Sequence, residues 1–209
     1  KHILDSIRDS IMRSFLISCI KAYCRHIPIH IGKGILMRIG RKILLMGKKQ
    51  ETLKADSIHG VSMEVVLPRD AGWDVIYFRG TYETGTTKVF ETLIRDLDRV
   101  FDIGANNGVY ALVGKTMNPS AQVFAFEPHP VFFKNLKENV NLNGYEIELH
   151  KTAVSNINGL LNIEDYTGHT PTITVEAVTL DAFIKSNQLQ NVDLLKIDVE
   201  TFEPQVIEG

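Results

Sequence analysis

Phe101-Asp102-Ile103-Gly104-Ala105-Asn106-Asn107-Gly108 follows an apolar run and opens onto a helical pattern over residues 109–117. Glycine reaches backbone angles that other residues resist, so Gly104 lets the chain turn sharply out of a strand. Gly108 permits close approach between helix and ligand. Asparagine is the residue with a side chain that best tolerates left-handed geometry, which suits Asn106 to this turn. Backbone N–H groups around such a turn can receive a carboxylate, as helix N-termini do.

On either side of this stretch, strands and helices alternate. Residues 100–103, 122–126, 146–150 and 192–199 have the apolar runs of strands, and 109–117 and 131–142 have helical spacing. Residues 160–164 and 173–178 suggest an inserted or edge hairpin. Asp181 stands where a short helix begins, as its N-cap, and 203–208 form the first turns of another. This β-α-β-α order predicts an α/β fold with a parallel sheet covered by helices on both faces. Such sheets bind ligands beyond the carboxyl ends of their strands. Only the first four strand positions of a Rossmann-like sheet are accounted for, so the expectation is a sheet incomplete at its C-terminal side. The chain also begins at Lys1 without a methionine, as a cut or processed chain would.

The second strand of the alternation ends in Phe126-Glu127-Pro128, 19 residues after Gly108. A carboxylate there can accept both hydroxyls of a ribose. A loop suited to a carboxylate, beside an acid suited to a ribose, matches S-adenosylmethionine, which carries both groups. The alternatives are a structural turn with no ligand and a solvated strand-end glutamate. A nicotinamide or flavin site needs glycines two and five positions after Gly104, where this chain has Asn106 and Val109. A Walker loop fails too, because no Gly-Lys-Ser/Thr follows.

The rest of the chain differs in character. Net charge is −2, yet residues 1–55 hold twelve Lys/Arg against three Asp/Glu, and the remainder holds eleven against twenty-two. A basic arm on an acidic body points to a membrane surface or an anionic partner, with a solvated helical face as the alternative. The acidic half argues against nucleic acid as substrate. Residues 3–16 have amphipathic helical spacing, and 35–46 interleave apolar residues with Arg38, Arg41 and Lys42, as a packed helix or a helix at a lipid headgroup boundary would. Short β-like runs follow at 63–67 and 75–78, then a helix capped by Thr86 or Thr87. The expected organisation is a basic helical segment at 1–56, short strands and a lead-in helix at 57–98, and the Rossmann-like domain at 99–209. Cys19 and Cys24 are too few for a disulfide framework, which favours a reducing, cytoplasmic setting, with peripheral membrane contact through the basic segment.

The strings FDIGANNG, FEPHP, LDAF and LLKIDVE, with Gly80-Thr81-Tyr82-Glu83 upstream, resemble the FkbM-type S-adenosylmethionine-dependent methyltransferases over about residues 80–209. The resemblance implies a class I methyltransferase fold and O-methylation of a sugar, glycan or small-metabolite hydroxyl. By this resemblance Asp102, Gly104, Asn106 and Gly108, with Ala105 and Asn107 between them, hold the methionine end. Glu127 holds the ribose, and Ala153 and Val154 line the adenine. Thr201 departs from the family, which has glycine after the Asp-Val-Glu triplet. Competing readings are a methyltransferase-like binding domain without turnover and a nicotinamide-dependent oxidoreductase.

For the chemistry, period-two geometry places Lys196, Asp198 and Glu200 on one face of their strand. Asp198, near the carboxyl end, is the expected proton acceptor or orienting group for a hydroxyl, with Glu200 beside it. The alternative is that Lys196 pairs with these acids and with the loop backbone. His129 and His169 are loop histidines that could serve as bases instead. His26 and His30 are four apart but separated by Pro28, so no zinc site is expected, and a divalent ion held by Asp198 and Glu200 is the weaker alternative.

Overall fold

The computed structural model describes residues 2–27, 32–56, 58–67, 74–165 and 171–209, with only the backbone at 2–9 and 74. The chain divides into two compact units, Lys1–Tyr82 and Glu83–Gly209. The divide falls inside the 57–98 lead-in segment.

In the first unit, α1 (His2–His26) and α2 (Lys33–Leu45) precede β1 (Glu51–Asp56), β2 (Ser62–Leu67) and α3 (Asp74–Arg79). β1 and β2 pair antiparallel, Glu51 opposite Leu67 and Asp56 opposite Ser62. Met63, Val65 and Leu67 are buried while the residues between them are half-buried, the period of two expected from a pleat. β1 escapes sequence reading because only Leu53 and Ala55 mark its inner face. Residues 75–78 are the clearer correction: a β-like run by composition, they form α3. The helix turns Ile76 and Phe78 fully inward, and Phe78 joins Ile17, Ile20 and Cys24 in one apolar cluster. A Cβ on Gly40 would lie 2.7 Å from the Phe78 ring, so α2 approaches that ring as only glycine allows. Packing outweighs the β preference of Val-Ile-Tyr-Phe here.

The second unit opens with α4 (Thr84–Leu93) and a 3-10 turn, then runs β3 (Arg99–Ile103), α5 (Val109–Met117), β4 (Gln122–Phe126), α6 (Pro130–Asn143), β5 (Glu148–His150) and β6 (Ala153–Val154). β7 (Gly159–Glu164), β8 (Thr172–Val178), α7 (Leu180–Ser186), β9 (Leu194–Ile197) and α8 (Glu203–Glu208) complete it. The main sheet has the order β5-β4-β3-β9, with every pair parallel. From β3 the chain winds outward through β4 to β5, then returns to β3's other side, so the strand order reverses between β3 and β9. Ligands bind at such a reversal. The expected hairpin is β7-β8, and β6 pairs with β8 to make a separate three-stranded sheet.

β3 and β4 are buried on both faces, as a covered parallel sheet requires. Phe183 of α7 meets Phe101, Phe124 and Phe126 edge-on. Such pairs add ~0.5–1.5 kcal/mol each beyond the area buried.

Two caps differ from expectation. α4 starts at Thr84 after Glu83, whose φ is 38°, so Thr86 and Thr87 lie inside the first turn. At α7 it is Thr179, not Asp181, whose hydroxyl accepts the Ala182 N–H, at 3.1 Å. Asp181 sits in the first turn instead, where its charge favours the helix dipole.

Candidate functional site

The loop between β3 and α5 meets the ends of β4 and β9. Gly104 (φ +76°) would place a Cβ 1.9 Å from the Asp198 backbone oxygen, so only glycine lets the chain leaving β9 pass so close. Asn106 and Gly108 are also left-handed, with φ of 49° and 87°. The loop's amides are largely engaged within the protein. Gly104 and Ala105 both donate to the Phe126 carbonyl, at 3.0 and 2.9 Å, and Gly108 donates to the Ala105 carbonyl at 2.8 Å. The Asn106 N–H donates to Glu127 Oε2 at 2.8 Å. The buried Asn106 side-chain oxygen, in contrast, has no hydrogen-bond partner. An orphaned acceptor costs about 1–3 kcal/mol until something donates to it.

Asp102 is almost fully buried in β3. Its Oδ2 accepts the Ala111 N–H at 3.0 Å, which places a carboxylate on the first turn of α5. Its Oδ1 lies 3.1 Å from Lys196 Nζ. Lys196 is the residue paired with Asp102 in the register of β3 with β9. The same ammonium donates to the Gly104 carbonyl at 3.1 Å and stands 3.7 Å from Asp198 Oδ2. It also sits 5.0 Å from the centre of the Tyr110 ring. One cation thus ties β3, the loop and the exit of β9 together. A lysine inside an apolar strand beside a strand carrying a buried aspartate was the signal available for it.

Glu127 is 6% exposed at the end of β4. Besides the Asn106 amide, it accepts the His129 N–H on Oε1 at 2.9 Å. Burial pushes its pKa up to about 7, against the pull of those two amide bonds. Asp102 repels the charged form further, while Lys196 favours it. Asn107 points the other way: its side-chain oxygen accepts from Asn135 at 3.2 Å and its carbonyl from Asn139 at 2.9 Å, both on α6. Ala153 packs with Val175 and Ala177, and Val154 packs with Phe126 and Phe183.

Beyond β9 the picture changes. The strand stops at Ile197, two residues short of the expected 199, so Glu200 lies in the turn and the pleat no longer directs it. Asp198 keeps its place beside Lys196, and its side chain is half-exposed. Glu200 and Thr201 are both left-handed, with φ of 52° and 78°. Thr201 therefore adopts the angles that glycine would favour, despite its branched side chain.

His129 lies in the loop between β4 and α6, as expected. It is buried at the N-cap of α6, with Nδ1 accepting the Val131 N–H at 3.2 Å and Nε2 3.2 Å from Asp165 Oδ1. His169 lies outside the described residues. Among the described residues, no group of three or more His, Cys, Asp or Glu could hold a metal ion. A cavity of about 470 Å³ opens beside the ends of β4 and β5, lined by Phe126, His150, Leu160, Glu176 and Phe183 among others, with no residue of the 102–108 loop on its wall.

Residues 102–209 match the Methyltransferase FkbM domain. The hexuronic acid methyltransferase AglP of Haloferax volcanii is 28% identical over 121 residues, 54% of this chain and 49% of that protein. The 2-O-methyltransferase NoeI of Sinorhizobium fredii is 26% identical over 157 residues, 60% of this chain and 64% of that protein. The 31-O-demethyl-FK506 methyltransferase FkbM of Streptomyces tacrolimicus is 36% identical over 73 residues, 35% of this chain and 28% of that protein. The crystal structure of a methyltransferase FkbM from Methylobacillus flagellatus aligns with a TM-score of 0.40 at 14% identity, over 55% of this chain and 29% of that one. The chain spans between about a quarter and two thirds of the length of the curated relatives it matches. The matched span, from Asp102 onward, takes in the loop, the strand-end glutamate and the Asp-Val-Glu turn, and the chain belongs to the FkbM methyltransferase domain family.

Proposed function

We propose that this chain forms the donor-binding part of an S-adenosylmethionine-dependent methyltransferase acting on a hydroxyl of a sugar, glycan or small metabolite. One observation carries the reading: the Asn106 amide bonds to the buried Glu127 carboxylate, while the buried Asn106 side-chain oxygen lacks a partner. The site is thus tied to its acid and still short of a donor. The methionine ammonium of the cofactor is such a donor, and its ribose supplies two more. Each Glu127 oxygen accepts one amide and keeps a second lone pair, so ribose hydroxyls can add to the existing bonds. Asp102 and Lys196 hold the loop, Gly104 and Gly108 give it its turns, and Asn107 ties it to α6. Ala153 and Val154, after β5, are assigned to the adenine by the family resemblance alone, since both are buried in apolar clusters of the fold.

S-adenosylmethionine supplies an electrophilic methyl group on a sulfonium, and transfer from it depends mainly on positioning. Asp198 is the group assigned to take or orient the acceptor's proton, with Glu200 in the turn beside it. Its backbone lies against Gly104 and its carboxylate near Lys196, which brings it to the loop's edge. Two relatives' names support a hydroxyl acceptor, since they specify 2-O and 31-O methylation, and a third, naming a hexuronic acid, supports a sugar acceptor. Two free cysteines support a cytoplasmic setting.

Calorimetry with S-adenosylmethionine and its demethylated product tests the donor site: both bind the chain, and Glu127→Ala abolishes the heat. No heat from the unaltered chain at millimolar ligand would overturn the reading. Methylation of sugar hydroxyls should fall at least a hundredfold in Asp198→Asn with cofactor binding kept. An undiminished rate would remove Asp198 from its role.

A further inference from the structure

The first unit carries a surface that methyl transfer does not use. α1 is apolar on both sides. Ile17, Ile20 and Cys24 are buried against Phe78, yet Ile11 is 65% exposed, Phe15 66% and Met12 53%, on the opposite side of the helix. Ser14, Ser18, Lys21 and Arg25 interrupt the helix, yet Ile11, Met12 and Phe15 form a second apolar strip with no cover among the described residues. α2 repeats the pattern: Gly40 and Lys33 face inward, while Ile35 is 65% exposed and Ile39 44%. Arg38 and Lys42 share that outward face with them, three and seven positions after Ile35. The helices run antiparallel, since Arg13 donates to the Met46 carbonyl at one end of the pair and Lys33 to the Cys24 carbonyl at the other.

From Ser10 to Gln50 the sequence has nine Lys/Arg and no Asp or Glu. We propose that the outward faces of α1 and α2 dock on an anionic lipid surface, with Ile11, Phe15, Ile35 and Ile39 entering the headgroup boundary and Arg38 and Lys42 meeting lipid phosphates. The chemistry favours lipid over other occupants. Protein interfaces gather apolar residues into a core from which lysine is depleted, whereas here basic and apolar side chains alternate along α2. A second copy of the chain would bring two acid-free, positive faces together. Lipid accepts both kinds of side chain at once, because the stems of Arg and Lys lie along the apolar layer while their charges reach the phosphates. No described helix is long and apolar enough to cross a membrane, so the helices lie on the surface.

The test of this surface does not involve the cofactor. Cys19 is exposed on the outward side of α1 and Cys24 is buried, so a polarity-sensitive dye labels Cys19 selectively. With vesicles of phosphatidylcholine containing phosphatidylglycerol, the labelled chain should co-sediment and its emission should shift to the blue. With phosphatidylcholine alone, or in high salt, binding should drop on the order of tenfold. The double variant Ile11→Ser with Phe15→Ser, and separately Arg38→Glu with Lys42→Glu, should each bind anionic vesicles on the order of tenfold more weakly with unchanged thermal unfolding. A chain that stays in the supernatant with anionic vesicles at low salt would overturn the proposal. So would either variant binding as well as the parent, or a concentration-dependent dimer that the Ser variant abolishes.

Discussion

Two loops leave neighbouring parallel strands at the same end of the sheet, and they are built in opposite ways. The one after β3 is buried, glycine-turned and bonded at nearly every step, with Asp102, Lys196 and Glu127 around it. The one after β9 is exposed and places Glu200 and Thr201 in left-handed angles without a glycine. The contrast separates two tasks. On the proposed function the buried loop is the donor side, where a molecule that is the same in every turnover rewards a preformed site, and the exposed turn is the acceptor side.

The largest effect falls at Gly104. Gly104→Ala drives a Cβ into the Asp198 oxygen at 1.9 Å and strains a positive φ, so it should cost more than about 4 kcal/mol in urea unfolding and abolish cofactor binding. Next, Asp102→Ala strands the Lys196 ammonium in a largely buried position and should cost about 3 kcal/mol, whereas Asp198→Ala should cost under about 1 kcal/mol. Equal costs would mean the two loops are equally integral.

Glu127 makes the buried loop sensitive to pH. Its folded pKa of about 7 lies above the ordinary 4.5, so its contribution to stability is full below the unfolded value and lost as pH rises through 7. Between pH 4.5 and 8 the loss amounts to about 3 kcal/mol. Unfolding curves of Glu127→Gln should lack that slope. Cofactor affinity should run the other way, rising as the carboxylate ionises and becomes a better acceptor for ribose hydroxyls. The smallest effect belongs to the second loop. Thr201→Gly relieves a branched residue at φ 78° and should stabilise by roughly 0.5–1 kcal/mol, seen as a higher urea midpoint at unchanged slope.

In the second unit, most elements were legible because a covered parallel sheet writes continuous apolar runs and its crossover helices write a period near 3.6. α5 and β4 lie where the periodicity puts them. The first unit was harder. β1 has two inward residues to announce it, and α3 has the composition of a strand. In the site, Gly104, Asn106, Gly108 and Glu127 were visible from spacing. The His129–Asp165 pair was not, because its partners are 36 residues apart and nothing local in either segment calls for the other.

By itself the sequence determined the strand-turn-helix at 102–108, the acid ending the next strand, and the basic, acid-free stretch near the N-terminus. These are properties of composition and period, which the chain carries before it folds. Only the tertiary structure decided what each charged group does. It sets Lys196 against Asp102, turns the loop amides inward, buries Glu127 until its pKa rises, and leaves one face of α1 uncovered. Partners distant in sequence, and the water that folding removes around them, govern those outcomes, and neither is encoded locally.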